Sequence, residues 1–386
     1  MLSLGRFIAA SPPRADLLVF DQVSASELGP KLLRGMKFAV LCKRRECYFV
    51  GLRVIMNFLG NLARRRWWSM LSRHLVFRHL KGLLYVAYLL AWVQCVRPKV
   101  VITFIDNDWQ FQVLSRLYPA AFFIAIQNGV RSEFNLRFDL PPPPHPGSRI
   151  SMPLMYCFGR CEMEAYPAYG HLVDRLIPSG SLRASWYRAT IALKSNLPII
   201  YDILLMSQWE RAIMNDGCYP EIARSLRLVD AFLKKFVSAR QLRFAIALRG
   251  DDADEVSYFH QIYGQEVNLL KRNVAMMSSY TAADQAEVVV VLDSTIGREA
   301  YGWGRKVLFA NLTGYSMYRT PVDPTCYTED KEYKKFEAKL DRLVDEPYNN
   351  FLKRTQESRE WLVEPSRHSD AWAHVRIRRH LEQLLS

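Results

Sequence analysis

The feature that most restricts the fold is a series of short apolar runs. Each closes in a polar or Gly-containing turn and is followed by a stretch with helical spacing. In the first half these are ADLLVFD (15–21), KFAVLCKRRE (37–46), KVVITFIDND (99–108), AFFIAIQNG (121–129), MYCFG (155–159) and DRLIPSGSLR (174–183). The second half adds DILLMSQW (202–209), LRFAIALRG (242–250), EVVVVLDST (287–295) and KVLFAN (306–311). Runs that are apolar on both faces suit strands buried in a parallel sheet, because the crossover helices cover both sides. The segment 221–237, with Ile222, Leu226, Val229, Phe232 and Phe236, reads as one such helix. The chain is therefore expected to be α/β, and ten strands are too many for one compact Rossmann unit.

At 386 residues the chain exceeds what a single hydrophobic core usually fills. The polar stretch SGSLRASWYRATIALKSNLP (179–198) ends in Pro just before a new strand. This predicts two Rossmann-like domains facing a central cleft, residues 1–190 and residues 191–386, joined near 184–198. The Pro-rich segment 141–146 is expected to be a surface loop over the cleft, and the chain beyond Lys331 to be helical and charged.

Charge divides the chain unevenly. Residues 1–100 hold seventeen Lys or Arg against four acids, a net +13 out of +14 for the whole chain. No acid occurs between Glu46 and Asp106, and Arg64, Arg65 and Arg66 run into Trp67 and Trp68. Arginines beside indoles favour an anionic membrane surface over a duplex groove, because indoles settle at headgroup depth. Residues 43–99 are thus the expected contact with an anionic membrane, and no nucleic acid partner is expected. The apolar stretch 82–96 is too short to span a bilayer and reads as a buried helix, with a membrane-surface contact as the alternative. The seven cysteines form no CxxC pair and no His or Cys cluster completes a metal site, so reduced thiols and no metal are expected. No cofactor is expected. The N-terminus lacks the apolar core of a secretory signal, which points to a cytoplasmic protein.

In open parallel sheets ligands bind beyond the carboxyl ends of the strands, where the polar turns of this chain fall. After the valine run, Asp293, Ser294 and Thr295 offer hydroxyls and the first amides of a helix, a combination suited to phosphate. Gly297 lies in the same turn, and Glu299, one turn in, is a candidate acceptor for a ribose diol. An ordinary capped strand–helix–strand unit is the competing reading. Asp106 and Asp108 follow another strand. A carboxylate there could deprotonate an acceptor hydroxyl or attack an anomeric carbon, or simply cap a helix. Gln127, Asn128, Gly129 and Arg131 close the next strand, with the guanidinium suited to a phosphate or sugar carboxylate. Gly180, Ser181 and Arg183, then Ser207 and Gln208, and then Arg249 complete the set of strand-end candidates. Asp251, Asp252 and Asp254 read as solvated turn residues, and no histidine shows a catalytic pairing.

The strand–DSTIGREAYGWGRKVLF–strand segment resembles the C-terminal donor site of GT-B glycosyltransferases. Together with LLVFD, VVITFIDND, FIAIQNGVR and PSGSLR, it makes residues 15–320 similar to bacterial surface carbohydrate biosynthesis transferases of capsule and lipopolysaccharide pathways. The resemblance implies that the C-terminal domain binds a nucleotide-sugar donor through Ser207, Gln208, Arg249, Ser294, Thr295, Gly297 and Glu299. It adds Gly180, Ser181 and Arg183 as further donor loops. The N-terminal domain would bind a lipid-linked or surface-glycan acceptor, with Gln127, Asn128, Gly129 and Arg131 in the cleft and Asp106 or Asp108 catalytic. The reaction would be metal-independent, inverting or retaining, peripheral on the inner membrane, with CMP-Kdo one donor. The rival expectations are a nucleotide-sugar 2-epimerase of the same fold and a non-catalytic protein that binds anionic lipid or nucleic acid.

Overall fold

The computed structural model describes residues 6–43, 47–63, 80–137, 149–192, 197–214, 219–365 and 372–386. The Pro-rich segment 141–146 with His145, the Arg64–Trp68 cluster and Cys218 lie outside the described residues.

Along the first half run β1 (Arg6–Ile8), β2 (Leu17–Phe20), β3 (Ala39–Leu41), β4 (Cys47–Phe49), β5 (Val100–Thr103), β6 (Phe122–Ile126), β7 (Ser151–Cys157) and β8 (Leu172–Pro178). Six of them form one sheet in the order β3-β2-β5-β6-β7-β8, while β1 and β4 pair separately. The second half supplies β9 (Tyr201–Met206), β10 (Phe244–Ala247), β11 (Asn268–Leu270), β12 (Ala286–Val291), β13 (Lys306–Ala310) and β14 (Tyr327–Thr328). These form a second sheet in the order β11-β10-β9-β12-β13-β14. Every pairing is parallel. The expected α/β architecture of two Rossmann-like sheets is the observed one, and each of the ten apolar runs contributes a strand.

The central strands are buried along their length, as in β2 and β5, because helices pack on both faces. Helix Leu80–Val96 carries Val86, Leu89, Leu90, Trp92 and Val93 into the core, so the apolar stretch is a buried helix. Among the described residues, no helix is long and apolar enough to cross a membrane.

The end of the chain departs from a simple division at residue 190. Helix Ala373–Leu385 belongs by sequence to the second half, yet Ile377 and Leu381 pack into the core of the first sheet with Leu17, Val100 and Ile124. Its apolar residues are spaced four apart and need a partner face, which the first sheet supplies. Arg376 bonds the Ser179 carbonyl at 3.1 Å and Arg378 that of Arg34 at 2.7 Å.

Candidate functional site

The turns after β9, β10, β11 and β12 open on one side of the second sheet, at its strands' carboxyl ends. There they enclose a cavity of about 360 Å3. Ser207, Gln208, Arg249, Ser294 and Thr295 line it from the second sheet, and Arg183 lines it from the first unit. The structure thus brings together six of the residues singled out in the sequence.

Their positions follow from local chemistry. Gln208 ties the β9 end to the β12 turn, donating to the Asp293 carbonyl at 2.8 Å and accepting from the Leu292 amide at 2.6 Å. Ser207 donates to Glu255, which also accepts from the Arg249 and Gly250 amides at 2.9 and 3.2 Å. One buried carboxylate therefore fixes two cavity turns. Ser294 is the N-cap of helix Thr295–Gly302 but makes no capping side-chain bond. Its hydroxyl and the first helical amides stand at the cavity wall, where helix polarity favours an anion. Behind them, Gly297 packs so closely on β12 that an added Cβ would lie 2.7 Å from Val291 Cγ2.

Four cations face the cavity, Lys31, Arg183, Arg249 and Arg272, against two carboxylates, Glu27 and Asp293. Burial first, and then the nearby Arg272, pull the Arg249 guanidinium below its ordinary value even though it pairs with Glu210. Two guanidiniums held close together, with Glu210 the anion paired to Arg249, leave net positive charge that suits an anion. Arg183 bonds Glu27 at 2.7 Å and lies 4.7 Å from the Phe104 ring centre. Burial pushes the Glu27 carboxyl up, but Arg183 and Lys31 together hold it below the usual carboxylate range.

The remaining candidates lie behind the cavity. Asp106 is wholly buried and paired with Arg131, at 2.6 and 3.0 Å, and it accepts from the Asn128 amide at 3.2 Å. Asp108 caps helix Trp109–Leu117 through the Gln110 and Phe111 amides and pairs with Lys43. Both carboxylates are thus engaged within the first unit, against the expectation of a free base. Arg131 likewise neutralises Asp106 instead of facing a ligand. Gln127 is buried, donating to the Gly129 carbonyl at 2.9 Å and accepting from the Phe158 amide at 2.9 Å. Gly180 donates its amide to the Phe158 carbonyl at 3.1 Å.

Glu299 also differs from the expected ribose acceptor. It is buried, accepting from Ser181 of the first unit and from Tyr280 at 2.7 Å. Burial pushes its pKa up to about 7, against the lowering effect of those two hydrogen bonds and Arg183. Thr295 makes a second bridge between the units, accepting from the Val130 amide at 3.1 Å. Gly129 permits that approach, since a Cβ there would lie 3.1 Å from the Thr295 hydroxyl.

Sequence reasoning missed Glu27, Lys31, Arg272 and Tyr280. Glu27 and Lys31 are one turn apart on helix Gln22–Lys31, a spacing with no motif attached to it. Asp21, just before that helix, holds φ at +81° with its Oδ2 buried and unpartnered. Strain of this kind at a strand end is common where a site is built.

Residues 124–327 match the sequence profile of a family of O-antigen biosynthesis proteins. No curated protein matches the chain. Among solved structures, it is similar to the Staphylococcus aureus MnaA–UDP complex, at 12% identity, 96% coverage of each chain and TM-score 0.57. A UDP-N-acetylglucosamine 2-epimerase from Listeria monocytogenes gives 12% identity, coverage of 96% of this chain and 97% of that one, and TM-score 0.55. The Neisseria meningitidis UDP-GlcNAc 2-epimerase bound to UDP-GlcNAc gives 12% identity, coverage of 95% and 99%, and TM-score 0.52. At that identity the likeness is one of fold, and it extends over both units in the GT-B arrangement.

Proposed function

The chain belongs to a family of O-antigen biosynthesis proteins, and on that premise we propose that it is a glycosyltransferase. It would move a sugar from a nucleotide donor to a bacterial surface-glycan acceptor in the cytoplasm. The observation that carries the reading is the cavity at the carboxyl ends of the second sheet, where Arg183, Arg249 and Arg272 converge beside a helix N-terminus. Sugar transfer leaves a nucleotide phosphate with growing negative charge, and fixed cations with oriented amides stabilise that charge without a metal. Ser207, Gln208, Ser294 and Thr295 would orient the phosphates and nucleoside, and Glu299 would hold Ser181 and Tyr280 in place from behind.

On the acceptor side, Glu27 is a carboxylate that the first unit already presents to the cavity. Arg183 and Lys31 keep it ionised, which suits it to accept a hydrogen bond from an acceptor hydroxyl and orient it. Asp106 or Asp108 would serve as the base only after Arg131 or Lys43 lets go.

A 2-epimerase is the second reading, supported by the same cavity, since epimerisation also needs a held nucleotide sugar. The Staphylococcus, Listeria and Neisseria structures carry that fold with UDP or UDP-GlcNAc named for two of them.

The test is a thermal-shift panel of CMP, UDP, GDP and dTDP. A ligand that binds only the folded state raises its melting temperature, so one nucleotide should stand out, CMP if the donor is CMP-Kdo. If none raises it at millimolar concentration, the nucleotide reading fails. Incubation with the matching sugar nucleotide and no acceptor then separates the two enzymes: an epimerase converts the sugar, a transferase needs the acceptor.

A further inference from the structure

Helix Leu52–Ala63 turns one side to the apolar helix Leu80–Val96, with Val54 buried and Phe58 and Leu62 packed against the core. The opposite side carries Leu52, Ile55, Met56 and Leu59, exposed by 76%, 43%, 60% and 53%. Positions i, i+3, i+4 and i+7 form a single stripe along a helix. A surface helix ordinarily turns such a stripe inward and leaves its outer face polar; this one turns the stripe out, while Asn57 and Asn61 bond inward to Cys95 and Gln94 at 3.4 and 3.1 Å. Phe7 of the two-stranded sheet leading into it, and Val50 just after its second strand, are exposed as well. Scattered apolar residues on a surface are ordinary, but an aligned stripe is the mark of a contact.

Charge identifies what covers it. From Cys47 to Ile105 the sequence has nine Lys or Arg and no Asp or Glu, and three of those arginines follow the helix directly at 64–66. A second copy would bring the same positive charge to the contact and be repelled. An anionic bilayer offers both what the arginines attract and what the apolar stripe requires, at one boundary. We propose that helix Leu52–Ala63 is a membrane-docking element. It lies along the surface of an anionic bilayer, with Leu52, Ile55, Met56 and Leu59 at the headgroup–acyl boundary. Arg53, next to the stripe in sequence, meets the lipid phosphates. This inference concerns a face of the first unit and does not depend on which reaction the cleft performs.

The experiment is co-sedimentation of the full chain with vesicles of phosphatidylcholine and phosphatidylglycerol in equal parts, compared with phosphatidylcholine alone. The wild type should bind the anionic vesicles about tenfold or more tightly, and added salt should weaken that binding. Met56→Glu with Leu59→Glu should lower it about tenfold or more, since two inserted side chains are replaced by charges that the lipid repels. Both positions are exposed, so the melting temperature and the nucleotide-induced shift should stay as in the wild type. Equal binding to both vesicles, or a variant that binds like the wild type, would overturn the proposal. So would a wild-type dimer that the variant converts to a monomer, which would give the stripe to a second copy.

Discussion

The hydroxyl of Thr295 in the second unit accepts the backbone amide of Val130 in the first, at 3.1 Å and 165 positions apart in sequence. This bond crosses the cleft at the start of the helix that closes the cavity. Thr295→Val keeps the shape of the side chain but leaves the amide without its partner. It should cost about 1–2 kcal/mol of stability, seen as a lower urea midpoint, and weaken nucleotide binding beyond what the lost hydroxyl contact explains.

Glu299 sets a pH dependence. Its folded pKa of about 7 lies above the ordinary 4.5, so the folded state holds the proton more tightly than the unfolded chain. The stabilisation is complete below pH 4.5 and is lost as pH rises through about 7. Glu299→Gln has no proton to lose. Its stability relative to the wild type should therefore rise across that window by up to a few kcal/mol, measured by chemical denaturation at several pH values.

Asp106 and Arg131 form a buried ion pair, and removing one member strands the other. Asp106→Ala should destabilise the chain by about 3–5 kcal/mol. Adding Arg131→Met should recover much of that loss, because no unpaired charge remains. Asp108→Ala, which loses a helix cap, should cost about 1 kcal/mol before the Lys43 contact is counted. Denaturation midpoints of the set separate these structural roles from a catalytic one.

Arg249→Ala and Arg272→Ala each remove a cation from the cavity wall. Each should weaken the nucleotide that stands out in the thermal-shift panel by roughly 10- to 100-fold, with a shallower salt dependence than the wild type. The folded state without nucleotide should be little changed, since the Arg249–Glu210 pair and the Arg272 bond to the Arg249 carbonyl are both solvent-exposed.

Gly297→Ala would press a methyl group against Val291 at 2.7 Å and should cost about 1–3 kcal/mol. Val291→Ala in the same chain should restore part of the loss, since it opens the space the new methyl needs. Melting temperatures of the single and double variants measure the coupling.

The strands were legible because burial on two faces writes itself as continuous apolar runs, and the ten runs all lie in the two sheets. The wall of the cavity was legible for a related reason. Ser207, Arg249 and Ser294 each follow a strand, and strand ends are where parallel sheets place their ligands. What could not be read were pairings over long sequence distances. Asp106 looked like a free carboxylate because Arg131 lies in another turn, and Glu299 looked like a ligand group because Ser181 is 118 positions away. Glu27 and Lys31 went unnoticed on a short, mostly polar helix, where charged residues are usually solvated. The short strands β11 and β14, three and two residues long, carry too few side chains to show a pattern.

The return of the last helix to the first sheet has a mechanical consequence. The polypeptide crosses between the units after β8 and returns to the first before helix Ala373–Leu385, and the described residues on either side of that return are pinned. Gly159 lies against the Leu362 carbonyl, the Glu364 amide donates to the Phe158 carbonyl at 2.7 Å, and Ser185 meets His374 at 2.9 Å. One connection would let the units swivel in any direction, as on a ball joint. Two neighbouring connections would act as a door hinge, with a single opening angle as the easy motion. Opening along that angle would part Val130 from Thr295 and Ser181 from Glu299, so the contacts that line up the cavity also serve as its latch.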